Sequence, residues 1–109
     1  DLEAMQDAIK LFIGKHDFTS FRAQGCQANK PLRTIDEASI DVKGNKIIFI
    51  FKAQSFLYQQ IRIMVGSLLE VGLKNKNTNW ISELIEAKDR SLAGPTVPSK
   101  GLILKEISY

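Results

Sequence analysis

A single arginine, Arg62, lies inside an otherwise apolar helical pattern, and its side chain is well suited to hold an anion. The apolar residues recur every three or four positions, as on one buried helix face: Leu57, Ile61, Met64, Leu68 and Val71. Arg62 borders this stripe. The residue pattern leaves two alternatives open. The side chain either reaches water along its aliphatic stem, or it grips a carboxylate or phosphate with its planar fork of donors.

A second group of polar residues follows the first helical pattern, in the segment His16-Asp-Phe-Thr-Ser-Phe-Arg22. Lys15 and Arg22 are cations that could contact anionic groups such as phosphates, and aromatic residues lie between them. The alternative interpretation places Phe18 and Phe21 in the core and makes Asp17 a helix cap. A thiol mechanism fits poorly, because nothing in the spacing brings the lone Cys26 to His16 and Asp17.

Composition indicates one ordinary domain of 109 residues with 44% hydrophobic content. The net charge of +3 is compatible with a polyanionic partner but does not by itself establish one. A single cysteine excludes an intrachain disulfide and does not supply a structural zinc site, so we expect a cytoplasmic protein without a bound metal. The longest apolar pattern is too interrupted by polar residues to span a membrane.

The periodicity predicts an α+β domain, an antiparallel sheet with helices packed on one face. We predict helices over 2–13, 56–73 and 80–88, capped by Gly14, Ser55 and Asn79, and a helical turn within 16–22. Strands are predicted over 33–43, 46–53 and 102–109, with Gly44-Asn45 as a tight hairpin turn. The second of these strands is apolar on both faces and should be central. The order is that of a ferredoxin-like or RNP-like split βαβ unit without its first strand.

Four segments together resemble the tRNA pseudouridine synthase A family. They are Gly14-Lys-His-Asp-Phe-Thr-Ser-Phe-Arg22, the run from Lys52 to Gly72, Ala87-Lys-Asp-Arg-Ser-Leu-Ala-Gly-Pro-Thr96, and Gly101-Leu-Ile-Leu. The resemblance implies isomerisation of a uridine in the anticodon arm of tRNA to pseudouridine. It implies no cofactor and no metal, because no electrons or groups are gained overall. It also implies a homodimer of the intact enzyme.

The family likeness assigns roles to particular residues. Arg62 matches the position whose guanidinium pairs with the catalytic aspartate, and Gly66 one turn later should leave room for close approach. Contacts to tRNA are expected from six further residues: Lys15, His16, Phe18, Arg22, Lys52 and Arg90. For each charged residue the alternative is a solvated surface side chain. Tyr58 departs from the histidine found in some relatives, so we assign it no chemical task.

The catalytic aspartate of the family has no counterpart here, because no aspartate of this chain lies in a Gly-Arg-Thr-Asp-type motif. We therefore expect residues 1–109 to be the carboxy-terminal domain of a longer enzyme, and to be inactive alone. Two rival interpretations are a non-catalytic RNA-binding module of the same topology and a ferredoxin-like dimerisation domain. Salt-dependent binding to an anticodon arm would separate the RNA-binding interpretations from the last one.

Overall fold

The computed structural model describes residues 1–22, 32–44, 46–54 and 59–97. Several predictions fall outside these residues: the 102–109 strand, the cap at Ser55, Leu57 in the apolar stripe, and the environments of Cys26 and Tyr58. The elements are α1 (Leu2–Ile9), β1 (Gly14–Asp17), β2 (Leu32–Lys43), β3 (Lys46–Ala53), α2 (Gln60–Gly72) and α3 (Asn79–Ala87). Short 3-10 turns span Lys10–Phe12, Thr19–Phe21 and Arg90–Leu92.

The described strands form one antiparallel sheet in the order β1-β2-β3. The α+β architecture and the β2–β3 hairpin are as predicted. Lys43 pairs with Lys46, and Gly44 takes the positive φ of 63° that this tight turn needs. β2 lies between the other two described strands. The expected central place of β3 stays a prediction, because the predicted 102–109 strand is not among the described residues.

β1 was not foreseen, and its presence corrects the predicted helical turn over 16–22. His16 and Asp17 belong to the strand, and only Thr19–Phe21 forms a 3-10 turn. Gly14 opens β1 at φ 106° and does not cap a helix. Four residues are too few to show the alternation that identifies a strand from sequence, and backbone pairing with β2 supplies the missing information.

The core lies between the helices and one face of the sheet. Ala38 and Phe51 face each other across β2 and β3 and are buried, as is Ile40. Phe12 packs its ring against three others, with centroids 5.2 Å from Phe21, 6.4 Å from Phe18 and 6.5 Å from Phe51. Such pairs contribute beyond the area they bury. This aromatic group joins the 3-10 turns Lys10–Phe12 and Thr19–Phe21 to the sheet.

Two helix starts differ from those predicted. α2 begins at Gln60, after Gln59 in a left-handed conformation with φ 58°, and not at residue 56. α3 begins at Asn79, and its N-cap position is Thr78 rather than Asn79. The first turn is satisfied by Asn77, whose Oδ1 accepts a hydrogen bond from the Trp80 N–H at 3.1 Å. In the described part of the chain, no helix has both the length and the apolar character needed to cross a bilayer.

Candidate functional site

Arg62 lies on α2 beside the buried stripe, as the sequence indicated. Its neighbours Ile61 and Ile63 are buried, whereas Arg62 itself is half-buried. The Arg62 Nε donates a hydrogen bond to the Val97 carbonyl at 2.6 Å, and the Val97 N–H donates to the Arg62 carbonyl at 3.2 Å. These two hydrogen bonds fix the plane of the Arg62 guanidinium against the backbone of Val97.

The terminal nitrogens of Arg62 form no hydrogen bond or ion pair with any residue that the structure describes. A guanidinium has five N–H donors, and Nε uses one of them here. With respect to the residues that the structure describes, four donors stay unused, in a planar fork that matches the two oxygens of a carboxylate. The geometry therefore holds an oriented cation with capacity for an anionic partner.

The backbone that Arg62 holds belongs to Asp89–Val97, which we call the 89–97 segment. It lies directly on α2 at Gly66. A Cβ at Gly66 would come within 2.9 Å of the Pro95 carbonyl carbon, and nearer to its oxygen. A Cβ at Gly94 would lie 2.8 Å from the Ser67 nitrogen. Within the described structure the group that closely approaches Gly66 is the Pro95 carbonyl, and the expected approach of a catalytic aspartate stays a prediction.

Arg90 lies in the same segment and also holds it in place. Its Nη2 donates to the Thr96 hydroxyl at 3.2 Å, one residue before the Val97 carbonyl held by Arg62. The structure therefore brings Arg62 and Arg90 to one short stretch of backbone. The adjacent Asp89 carboxylate accepts hydrogen bonds from the Ser91 hydroxyl and N–H, at 2.7 and 3.0 Å. These two bonds hold the pKa of Asp89 below its ordinary value.

The residues expected to contact RNA on β1 occupy different environments. Lys15 is exposed and lines a cavity of about 230 Å³ together with Arg33, Thr34 and Gln54. The His16 Nε2 lies 2.9 Å from the Ile13 carbonyl, and its ring meets the Phe18 ring edge-on at 5.8 Å. Lys15 is thus presented to solvent, whereas His16 is partly enclosed.

Phe18 and Phe21 are both 0% exposed, which agrees with their alternative assignment to the core. A ring so buried has no face to offer a base, so the expected RNA contact of Phe18 does not fit this structure. Asp17 caps the following turn, its Oδ1 accepting from the Thr19 N–H at 2.9 Å and from the Thr19 hydroxyl at 2.5 Å. Arg22 follows that turn and is half-buried.

Lys52 lies on β3, where its ammonium pairs with Glu37 of β2 at 2.9 Å. The Lys52 side chain is 33% exposed and the Glu37 side chain 61%. Because side chains alternate along a strand, Lys52 projects from the face opposite the buried Phe51. The structure does not join it to Arg62 and Arg90 through any contact that it describes.

Sequence reasoning missed two buried hydroxyls that hold the 89–97 segment. Ser67 donates to the Ile63 carbonyl and accepts from the Gly94 N–H, both at 3.0 Å. Ser20 donates to the Leu84 carbonyl at 2.6 Å and accepts from the Asp89 N–H at 2.8 Å. The available signal for Ser67 was a small polar residue inside the buried helical stripe, next to Gly66.

Comparison with known proteins agrees with this architecture. The family model described as tRNA pseudouridine synthase matches residues 8–109. Proteins named tRNA pseudouridine synthase A match all 109 residues, with 46% identity in Shewanella amazonensis, 45% in Acidiphilium cryptum and 41% in Caulobacter. The chain spans 42%, 43% and 44% of the length of these relatives. Identity of this order along the whole chain, together with the family match, shows that this chain belongs to the tRNA pseudouridine synthase family.

Proposed function

We propose that this chain forms the carboxy-terminal part of a tRNA pseudouridine synthase and supplies the arginine that pairs with its catalytic aspartate. The observation that supports the proposal is the state of Arg62. Its guanidinium is half-buried and fixed through Nε on the Val97 carbonyl, and no carboxylate among the described residues pairs with it. Towards the described residues four of its five donors stay unused, and we propose that the catalytic aspartate of the longer enzyme takes two of them.

The proposed reaction makes the charge state of that aspartate decisive. The bond between the ribose carbon and the uracil nitrogen breaks and the uracil turns. A carbon of the ring then bonds the ribose and loses its hydrogen as a proton, while the freed ring nitrogen gains a proton. The base must leave its stack to be reached, which requires an enclosed pocket. Burial in such a pocket would raise the pKa of the aspartate. An adjacent Arg62 lowers it by about 1 to 3 units, or about 1.4 to 4 kcal/mol, and keeps the carboxylate ionised.

Cations of this chain would hold the backbone of the tRNA anticodon arm. Lys15 is exposed and can contact a phosphate directly. Lys52 must first break its ion pair with Glu37. Arg90 and Arg22 are half-buried. Arg90 begins the 3-10 turn Arg90–Leu92, and Arg22 follows the 3-10 turn Thr19–Phe21, which packs against the first. We assign Phe18 a supporting role beneath His16, because its ring is buried in the core. A cytoplasmic homodimer, without metal or cofactor, completes the proposal.

The test compares the 109-residue chain with the polypeptide extended upstream in its native reading frame. The substrate is unmodified tRNA carrying 5-tritiated uridine, because moving the bond to the ring carbon releases that tritium. We expect release by the extended protein and none by the 109-residue chain, which lacks the catalytic carboxylate. Release by the short chain would overturn the proposed division of roles.

Binding measurements separate the proposal from its rivals. We expect the extended protein to bind an anticodon arm with an affinity that falls steeply with salt. Binding without tritium release would favour a non-catalytic RNA-binding module. Absence of both, in a protein that dimerises, would favour a dimerisation domain.

A further inference from the structure

Side-chain hydrogen bonds join the 89–97 segment to other described elements at three places along its length. The Asp89 N–H is held by Ser20, the Gly94 N–H by Ser67, and Val97 by Arg62. Both serines are 0% exposed. Each donates its proton to a helix carbonyl and accepts an N–H of the segment, so each hydroxyl links two elements.

The contact at Ser67 bears directly on Arg62. Ser67 lies on the same helix as Arg62, and its oxygen fixes Gly94, three residues before Val97. Val97 in turn accepts the hydrogen bond from the Arg62 Nε. Because Gly66 and Gly94 allow backbone-to-backbone contact, the distance between helix and segment is set without an intervening flexible side chain. The position of the Val97 carbonyl therefore depends on the Ser67 hydroxyl.

We propose that Ser67 and Ser20 are positioning residues, which fix the 89–97 segment so that Val97 orients the guanidinium of Arg62 and Thr96 that of Arg90. Neither serine can reach a substrate, because both are enclosed and each hydroxyl proton is already donated. Ser67, which fixes Gly94, acts on the chemical step through Arg62, and Ser20, which fixes Asp89, acts through the adjacent Arg90. This inference rests on the proposed function, since it takes Arg62 as the partner of the catalytic aspartate.

The consequence of losing Ser67 follows from the geometry of the reacting groups. Without the hydroxyl, the buried Gly94 N–H has no acceptor, and the segment moves to find one. Val97 moves with it and frees the Arg62 guanidinium to rotate. Misplacement by about 1 Å can reduce turnover by about 100-fold. We expect Ser67→Ala to lower kcat by about 10- to 100-fold and to leave the KM for tRNA within about twofold.

The experiment uses the extended, full-length protein and four substitutions at two positions. Ser67→Ala removes the hydroxyl, and Ser67→Thr against Ser67→Val compares two side chains of equal shape that differ in the hydroxyl. The matched control is Ser91→Ala, in the same segment but exposed, where the hydroxyl donates to Asp89 and to no other described residue. We expect Ser67→Thr to retain most of the activity and Ser67→Val to lose it. Ser91→Ala should leave the activity unchanged. Equal activity of the Thr and Val variants would overturn the proposal.

A readout independent of catalysis follows the hydrogen bonds themselves. In nitrogen-15 spectra we expect Ser67→Ala to speed hydrogen exchange of the Gly94 N–H and the Arg62 Nε–H. Ser20→Ala should speed exchange of the Asp89 N–H. Unchanged exchange at these three groups in folded variants would contradict the proposal.

Comparison with Arg62→Ala distinguishes failure of this inference from failure of the proposed function. If Ser67 acts through Arg62, adding Ser67→Ala to Arg62→Ala lowers the single-turnover rate no further. If the two losses of rate multiply in the double variant, Ser67 acts independently of Arg62, as a residue that only stabilises the fold. That result would refute the positioning role. Full activity of Arg62→Ala would refute the proposed role of Arg62 itself, whatever Ser67 does.

Discussion

The substitution Gly66→Ala tests the close backbone contact between α2 and the 89–97 segment. The added methyl carbon would lie 2.9 Å from the Pro95 carbonyl carbon and nearer to the oxygen, against an ordinary contact of 3.4 Å or more. Neither group is a flexible side chain, so the 89–97 segment must move away from α2. That movement stretches the bond between the Gly94 N–H and Ser67, now 3.0 Å long.

The expected loss of stability combines three terms. Overpacking costs about 1–3 kcal/mol, and a buried N–H without an acceptor costs about 1–3 kcal/mol. Alanine in a helix interior is more favourable than glycine by about 0.5–1 kcal/mol, which offsets part of this loss. The net loss is then about 1–5 kcal/mol. With a urea dependence of about 2 kcal/mol/M for a domain of this size, the unfolding midpoint should fall by about 0.5–2.5 M.

The same helix offers a matched control in Gly72→Ala. A Cβ there would meet the Met5 sulfur at 2.5 Å, at the flexible end of a side chain that can turn aside. We expect Gly72→Ala to change the midpoint by less than about 0.5 M, since the change in stability stays below about 1 kcal/mol. Equal midpoints for the two variants in urea unfolding of the 109-residue chain would refute the argument from backbone contact.

Three further predictions concern the core, the surface and pH. Phe12→Ala should lower the free energy of unfolding by about 3–5 kcal/mol, because Phe12 contacts three other rings, and a loss under 1 kcal/mol in the same urea assay would argue against that central place. Lys52→Ala should cost at most about 1 kcal/mol, since the ion pair with Glu37 is solvent-screened, and a larger shift of the midpoint would contradict this. Ser91→Ala should raise the pKa of Asp89 towards 3.8 in a carbon-13 NMR titration. Since the folded pKa is the lower one, the stability from this carboxylate is present above about pH 3.8 and is lost as the pH falls through the folded pKa.

The long-period features of the fold were predictable because burial imposes a regular pattern. The alternation around Ile40 and Val42 indicated β2, and β3 was predicted with the bounds Lys46–Ala53 that the structure has. The buried face of α2 through Met64 and Leu68 followed from its helical spacing. The family resemblance added a role for Arg62, as the partner of the catalytic aspartate, and that role stays a prediction.

Features made by only a few residues were beyond sequence reasoning. β1 has four residues and gains its identity from pairing with β2. The left-handed conformation of Gln59, which starts α2, is not signalled by the residue type. The contacts of the 89–97 segment join residues as distant in sequence as Ser20 and Asp89, and only the fold brings these together.

The pH dependence of turnover in the full-length protein tests the central claim most directly. If Arg62 keeps the catalytic aspartate ionised, Arg62→Ala raises the pKa of that carboxyl by about 1–3 units. The acidic limb of the kcat profile should then move to higher pH by the same amount, with tRNA binding retained. An acidic limb that stays in place in the folded variant would contradict the pairing of Arg62 with the aspartate.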